Sequence, residues 1–218
     1  MDENAHKDLG KVRREYSLAR LNEDQLPYDP MVLFGAWMEE ARQSRNPDPT
    51  AMTLSTVDKD GNPSSRIVLL KKLEQDRLVF FTSYQSRKAR EIRSNSRVAA
   101  HFFWPELERQ VKISGAAGPI EDTESDRYFQ SRPLESQLAA WTSPQSQVVP
   151  DREFLEKEYH KYEEKFKGLE QIPRPAFWGG IAITPSRMEF WQGGRFRLHD
   201  RIEYALKEEK WSRVRLAP

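Results

Sequence analysis

The amino-acid sequence predicts an antiparallel β-barrel with helices attached to it. Three observations carry this expectation. Short segments of strand composition recur from residue 51 to the end, tight turns join most of them, and only a few helical patterns are interspersed.

Taken in order, residues 1–28 are polar and read as an arm or lid, with "KVRREYSLARL" as a short helical possibility, while 29–218 read as a single domain. In "DPMVLFGAWMEEARQS", Asp29 suits an N-cap and Pro30 the first helical position. Val32, Leu33, Ala36, Trp37 and Ala41 then recur near helical spacing. "AMTLSTVDKDGNPSSRIVLLKKL" reads as two strands around a turn rich in Asp, Gly, Asn and Pro, and "RLVFFTS" adds a third. "SRKAREIRSN" is a helix capped by Ser86, followed by strands in "RVAAHFFW" and "RQVKISGAAGPI". Helical patterns return at "DTESDRYFQSR", "LESQLAAW" and "DREFLEKEYHKYEEKF". "QIPRPAF" is a connector, and strands are expected in "FWGGIAITP", "RMEFWQ", "RFRLHDRIEYAL" and "WSRVRLA".

Composition narrows the function. Lys+Arg 35 against Asp+Glu 34 leaves a net charge of +1, so there is no global pull toward nucleic acid or membrane and any anion site must come from local clustering. The absence of cysteine excludes disulfides, thiolate metal sites and cysteine nucleophiles. The N-terminus lacks the apolar core of a signal peptide and no apolar run approaches the ~20 residues that span a bilayer, so a cytoplasmic protein is expected. No P-loop, no G-x-G-x-x-G and no metal-ligand spacing among the four histidines occurs.

Four clusters of donors stand out. In "RIVLLKK", Arg66 and Lys71 bracket an apolar strand centre. In "SRKAREI", Arg87 and Lys88 occupy the first helical turn, where cations oppose the helix dipole unless an anion sits at that end. Tyr128, Arg132 and Ser136 stand about one helical turn apart, a mixed donor set that suits a phosphate monoester, although Pro133 disturbs the register. In "EFWQGGRFRLHDR", a strand that turns at Gly193-Gly194 would return with Arg195, Arg197, His199 and Arg201 on one face. Phe196, Leu198, Asp200 and Ile202 would line the other face, mostly apolar and against a core. Each cluster alone also fits solvated surface. Together, without a metal, they point to more than one organic phosphate.

"RIVLLK", "SRKAREI", "ERQVKISG", "YFQSRPLESQ", "FWGG" and "EFWQGGRFRLHDR" in this order closely resemble the pyridoxine (pyridoxamine) 5′-phosphate oxidase family, from "RREY" near residue 13 to the terminal "RLAP". The resemblance implies a homodimeric Greek-key split barrel with flavin mononucleotide (FMN) at the subunit interface. It implies FMN contacts from Arg66, Ile67, Val68, Leu69, Leu70, Lys71, Phe81, Thr82, Arg87, Lys88, Gln110, Gln145, Ser146, Trp191 and Arg201. Lys71, Tyr128, Arg132 and Ser136 would meet the substrate phosphate, and the catalytic pair Arg197 and His199 would lie over the pyridine ring, with Arg13 and Tyr16 of "RREY" closing as a lid. The family often has tyrosine where this chain has Phe81. The implied reaction oxidises pyridoxine 5′-phosphate or pyridoxamine 5′-phosphate to pyridoxal 5′-phosphate, with O2 as acceptor. It yields H2O2, and the amine gives an imine that water hydrolyses. A phenazine-type FMN oxidase of the same superfamily, or a barrel that binds nucleic acid, are the alternatives. The donor set for a phosphate and the neutral charge balance speak against them.

Overall fold

The computed structural model describes residues 15–218. Helix α1 (Pro30–Gln43) starts where the sequence places it, with the Asp29 carboxylate accepting the Met31 N–H and Pro30 bringing no N–H that would need a partner. Its buried side, Phe34, Trp37, Met38 and Ala41, plugs the sheet, with Phe34 against Phe102 and Trp37 edge-on to Phe190.

Nine strands follow in one antiparallel sheet: β1 (Ala51–Val57), β2 (Pro63–Leu69), β3 (Lys72–Leu73), β4 (Leu78–Ser83), β5 (Arg97–Trp104), β6 (Arg109–Pro119), β7 (Trp178–Gln192), β8 (Asp200–Lys207) and β9 (Lys210–Arg215). Their order is β2-β1-β5-β6-β7-β4-β3, with β8 on β7 and β9 on β8. Strand β5 returns to lie beside β1, the long connection of a Greek key. Because β3 continues β2 across Leu70 and Lys71, and the Lys71 N–H reaches the Val79 carbonyl at 2.8 Å, the two ends of that order are one chain segment and the sheet curls into a barrel.

Strand β7 is one run of 15 residues where the sequence suggested two. Trp178 to Ile183 pairs with β4, Arg187 to Gln192 pairs with β8, and Pro185 falls between. On its other side the register slips, so that Ser114 faces Arg187 but Gly115 faces Pro185. A proline has no N–H for a ladder, and a bulge at a change of partner is a place where a strand tolerates one. The fork made here splits the barrel.

Alternation sends Met52, Phe102, Val111, Phe190 and Ile202 inward, all fully buried. On the outer face, one cross-strand row holds Ile67, Thr53, His101, Lys112, Glu189 and Glu203. A neighbouring row holds Phe103, Gln110, Trp191 and Arg201. This face is open, with Ile67 63% and Phe103 53% exposed.

Helix α2 (Arg87–Ser94) follows β4, its start capped by the Ser86 hydroxyl. Helices α3 (Asp122–Gln130), α4 (Leu134–Thr142) and α5 (Arg152–Phe166) enclose a second apolar cluster of Phe129, Leu138, Phe166, Ile172 and Trp178. Among the described residues no helix is long and apolar enough to cross a membrane.

The segment after β7 departs from expectation. Arg195–Arg197 is a 3-10 turn, with Phe196 and Arg197 at positive φ (57° and 62°), and strand β8 begins only at Asp200. A single basic face through Arg195, Arg197, His199 and Arg201 therefore does not form. Phe196 and Leu198 are 89% and 71% exposed, and of the expected apolar face only Ile202 enters the core. The chain folds back on itself here so closely that a Cβ on Gly194 would stand 2.3 Å from the Leu198 carbonyl oxygen, an approach that the missing side chain of glycine permits.

Candidate active site

Strand β2 and the first turn of α2 bring one cationic cluster together around a buried carboxylate. Glu91, 5% exposed, accepts from Thr56, Ser64 (2.7 Å), Arg66 Nη2 (3.2 Å) and Arg87 Nε (2.7 Å). Burial opposes its ionisation, yet these hydrogen bonds outweigh burial and hold its pKa down at about 2. Arg66 also donates to Thr56 and Ser64 and, at 3.3 Å, to the Leu54 carbonyl, whereas Arg87 shares one edge with Glu91 and remains more than half exposed.

Beside this pair lies Lys88, 9% exposed, whose ammonium donates to Thr82 Oγ1 (3.1 Å) and Gln145 Oε1 (2.8 Å); Thr82 in turn donates to the same Gln145 oxygen at 2.8 Å. Burial first, and then the like charge of Arg66, lowers its pKa to about 8. Ser146 follows at positive φ (69°) and is exposed. A phosphate fits this donor set: it would offset the burial and the like charge that depress the Lys88 pKa, and would meet the exposed side of Arg87 at a helix start.

A second region forms where α3 ends. Tyr128 stacks on Phe81 with ring centroids 3.7 Å apart, Trp178 lies beyond Phe81 at 5.5 Å, and the Arg132 guanidinium stands 4.6 Å from the Trp178 ring centroid. Arg132 Nη1 is buried with no hydrogen-bond partner among the described residues. Burial lowers the Arg132 pKa and raises that of Tyr128, each partly countered by the other. Tyr128 belongs to α3 and Ser136 to α4, with Pro133 between the helices, so these three residues do not share one helix face. Lys71 is exposed beyond the end of β2, and among the described residues its ammonium makes no hydrogen bond or ion pair.

The third region is the turn after β7. His199 Nδ1 accepts the Gly194 N–H at 3.1 Å, which leaves the ring proton on Nε2. Burial, followed by the charge of Arg197, lowers its pKa below the ordinary histidine value, so the imidazole is neutral at pH 7. Trp191 lies 4.7 Å from this ring, and Arg197 is exposed. Arg201 forms a two-pronged pair with Glu189 at 2.9 and 3.1 Å and donates to the Ala217 carbonyl. Arg201 is thus neutralised by a carboxylate of the neighbouring strand β7, whereas Arg195 and Arg197 remain exposed. Gln110, on the same outer face as Trp191 and Arg201, accepts through Oε1 from His101 Nε2 at 2.8 Å.

The structure therefore gathers the expected FMN residues into two groups. Arg66, Thr82, Arg87, Lys88 and Gln145 form one, and Gln110, Trp191 and Arg201 the other; no hydrogen bond or ring contact among the described residues joins them. Along β2, Ile67 and Leu69 face outward while Arg66 and Val68 face inward, and Leu70 is 5% exposed, so the run from Arg66 to Lys71 does not act as one surface. Tyr16 is described and stands edge-on to Trp191 and His199; Arg13 lies outside the described residues. Glu91, Glu189, Trp178 and Glu108 escaped the sequence reading. Only Glu91 left a local signal, its position one helical turn after Arg87.

A curled, forked sheet with a cationic helix start against it defines a split-barrel protein of the flavin-binding class. The model of the pyridoxamine 5′-phosphate oxidase family matches residues 38–166, and that of the pyridoxine 5′-phosphate oxidase C-terminal dimerisation region matches 178–218. A pyridoxine/pyridoxamine 5′-phosphate oxidase of Rubrobacter xylanophilus is 50% identical over 218 residues, all of both chains. One from Shewanella pealeana is 47% identical over 97% of this chain and 99% of its own. Among solved structures, PhzG of Burkholderia lata, in complex with tetrahydrophenazine-1-carboxylic acid, superimposes with a TM-score of 0.86 at 30% identity, covering 93% of this chain and 100% of its own. The chain belongs to the pyridoxamine 5′-phosphate oxidase family.

Proposed function

We propose that this chain oxidises pyridoxine 5′-phosphate and pyridoxamine 5′-phosphate at the 4′ carbon to pyridoxal 5′-phosphate, with FMN as cofactor and O2 as acceptor, releasing H2O2 and, from the amine, ammonia. Beyond full-length likeness to enzymes of that name, the observation that carries the substrate is Arg132: a buried guanidinium nitrogen without a partner among the described residues, beside a stack of aromatic rings. Burying an unpaired charged donor is unfavourable, and a phosphate oxygen relieves it.

Tyr128, Arg132 and Ser136 then hold the substrate phosphate, with Lys71 contributing charge. Arg66, Arg87, Lys88, Thr82, Gln145 and Ser146 hold the FMN phosphate. Gln110, Trp191 and Arg201 meet the remainder of the cofactor from the open outer face. The separation of the two FMN groups within one chain supports a homodimer, in which a second copy completes the site along that face. Bound flavin supplies a two-electron acceptor that O2 can reoxidise. Neutral His199 donates from Nε2 to the substrate, Arg197 adds a cation above its ring, and together they fix the 4′ carbon for reaction.

Purified protein supplied with FMN and assayed for H2O2 should oxidise both phosphorylated substrates, with kcat/KM for unphosphorylated pyridoxine at least ~100-fold lower. Equal rates with and without the phosphate would overturn the reading. Turnover of a reduced phenazine carboxylic acid, with none of either vitamin phosphate, would move the assignment to the phenazine-type activity.

A further inference from the structure

The chain before α1 lies across the turn that ends β7, and one buried residue grips both. Glu108 joins β5 to β6 in a left-handed conformation (φ 53°) and is 3% exposed. Its Oε2 accepts the N–H of Ser17 at 2.7 Å and of Leu18 at 3.0 Å. Its carbonyl accepts the Gly193 N–H at 2.8 Å and Gln192 Nε2 at 3.2 Å. A second carboxylate, Asp200, takes the Leu21 N–H at 2.9 Å. Held in this way, Tyr16 stands edge-on to both Trp191 and His199, each at 5.5 Å.

Gly193 completes the arrangement. A Cβ there would come within 2.7 Å of the Tyr16 Cβ, and the three nearest atoms it would meet all belong to that side chain. The missing methyl is therefore room for the arm. A carboxylate shut away from water is favourable only where donors meet it, and the arm's backbone N–H groups are among those donors.

We propose that Glu108 and Gly193 form a seat that fixes Tyr16 over the Trp191–His199 pair, which makes Glu108 a positioning residue for the oxidation although it touches no substrate. The proposal rests on the reading that His199 faces the substrate. The seat acts through Tyr16, so it governs substrate capture rather than cofactor retention.

The test compares Glu108→Ala, Glu108→Gln and Gly193→Ala with the unaltered chain, all loaded with FMN. KM for pyridoxine 5′-phosphate should rise about tenfold in Glu108→Ala and Gly193→Ala, the loss of one charge-assisted contact. It should rise less in Glu108→Gln, which keeps an acceptor for the arm; kcat should change far less than KM, and FMN titration should not change. Tryptic cleavage after the exposed Arg20, followed by mass, should quicken in both alanine variants. KM within twofold of the unaltered chain in both alanine variants, or unchanged cleavage at Arg20, overturns the seat. So does loss of FMN in both, which would make Glu108 a structural support of the turn. If the unaltered chain oxidises neither phosphate, the functional reading fails instead, recognisable because cleavage still responds to the variants.

Discussion

The start of helix α2 and the nook around Arg132 both gather positive charge, and the fold treats them in opposite ways. At α2, Glu91 supplies a counter-charge from within, and Arg66 makes hydrogen bonds to Leu54, Thr56, Ser64 and Glu91. At Arg132 the neighbours are the rings of Trp178 and Phe129, and one guanidinium nitrogen is buried and unpaired among the described residues. The first cluster is held together within the chain; the second leaves a buried donor unpaired among the described residues. This difference implies that the two sites respond differently to loss of a single cation.

The largest effect is expected at the nook. Arg132→Ala should lower kcat/KM for pyridoxine 5′-phosphate by ~100-fold or more, carried in KM, while FMN titration is unchanged. Flavin loss in that variant would erase the contrast between the sites. Next comes Arg87→Ala, which should weaken FMN about tenfold to a hundredfold and leave the weak binding of riboflavin as it was. Equal affinity of the unaltered protein for riboflavin and FMN would remove the phosphate from this cluster.

A pH titration sharpens the comparison further. Lys88 has a pKa lowered to about 8 from 10.5, and a phosphate at the cluster favours its charged form. FMN binding should therefore weaken about tenfold between pH 7 and pH 9, with no such slope for riboflavin. In the flavin-free protein the sign reverses for folding: a depressed lysine pKa means that the unfolded chain binds more protons between about 8 and 10.5, so stability rises with pH across that window. A flat FMN profile would separate Lys88 from the phosphate.

The smallest effect is on stability alone. Glu91→Gln keeps an acceptor but removes the counter-charge, and should destabilise the protein by about 1 kcal/mol at pH 7 in chemical denaturation. Because the folded pKa of Glu91 is depressed from 4.5 to about 2, its contribution is fully present above 4.5 and lost as pH falls toward 2. The gap between the two proteins should close over that range. A constant gap would mean that packing, not charge, is what Glu91 provides.

How much of this was written in the sequence follows from the range of the interactions. The caps at Asp29 and Ser86, the helices they start and the nearly complete set of strands depend on residues within a few positions of one another, and they were legible. So was the family, because its motifs are contiguous. The continuity of β7 through Pro185 was not, since a proline reads locally as a break and only the change of partner from β4 to β8 makes it tolerable. Nor was the turn at Arg195–Arg197: alternating arginines fit a strand, and the fold-back that replaces one needs the close approach of Gly194 to the Leu198 carbonyl. The buried carboxylates were least visible of all. Apart from the pair of Glu91 with Arg87 one helical turn away, Glu91 meets Ser64 and Thr56, and Glu108 meets the Ser17 and Leu18 N–H groups, across separations of 27 to 91 residues. Residue order alone specified which cations exist; the tertiary structure decided which of them are neutralised and which are left for a ligand, because electrostatic interaction depends on distance in space and on burial, and neither is a property of sequence spacing.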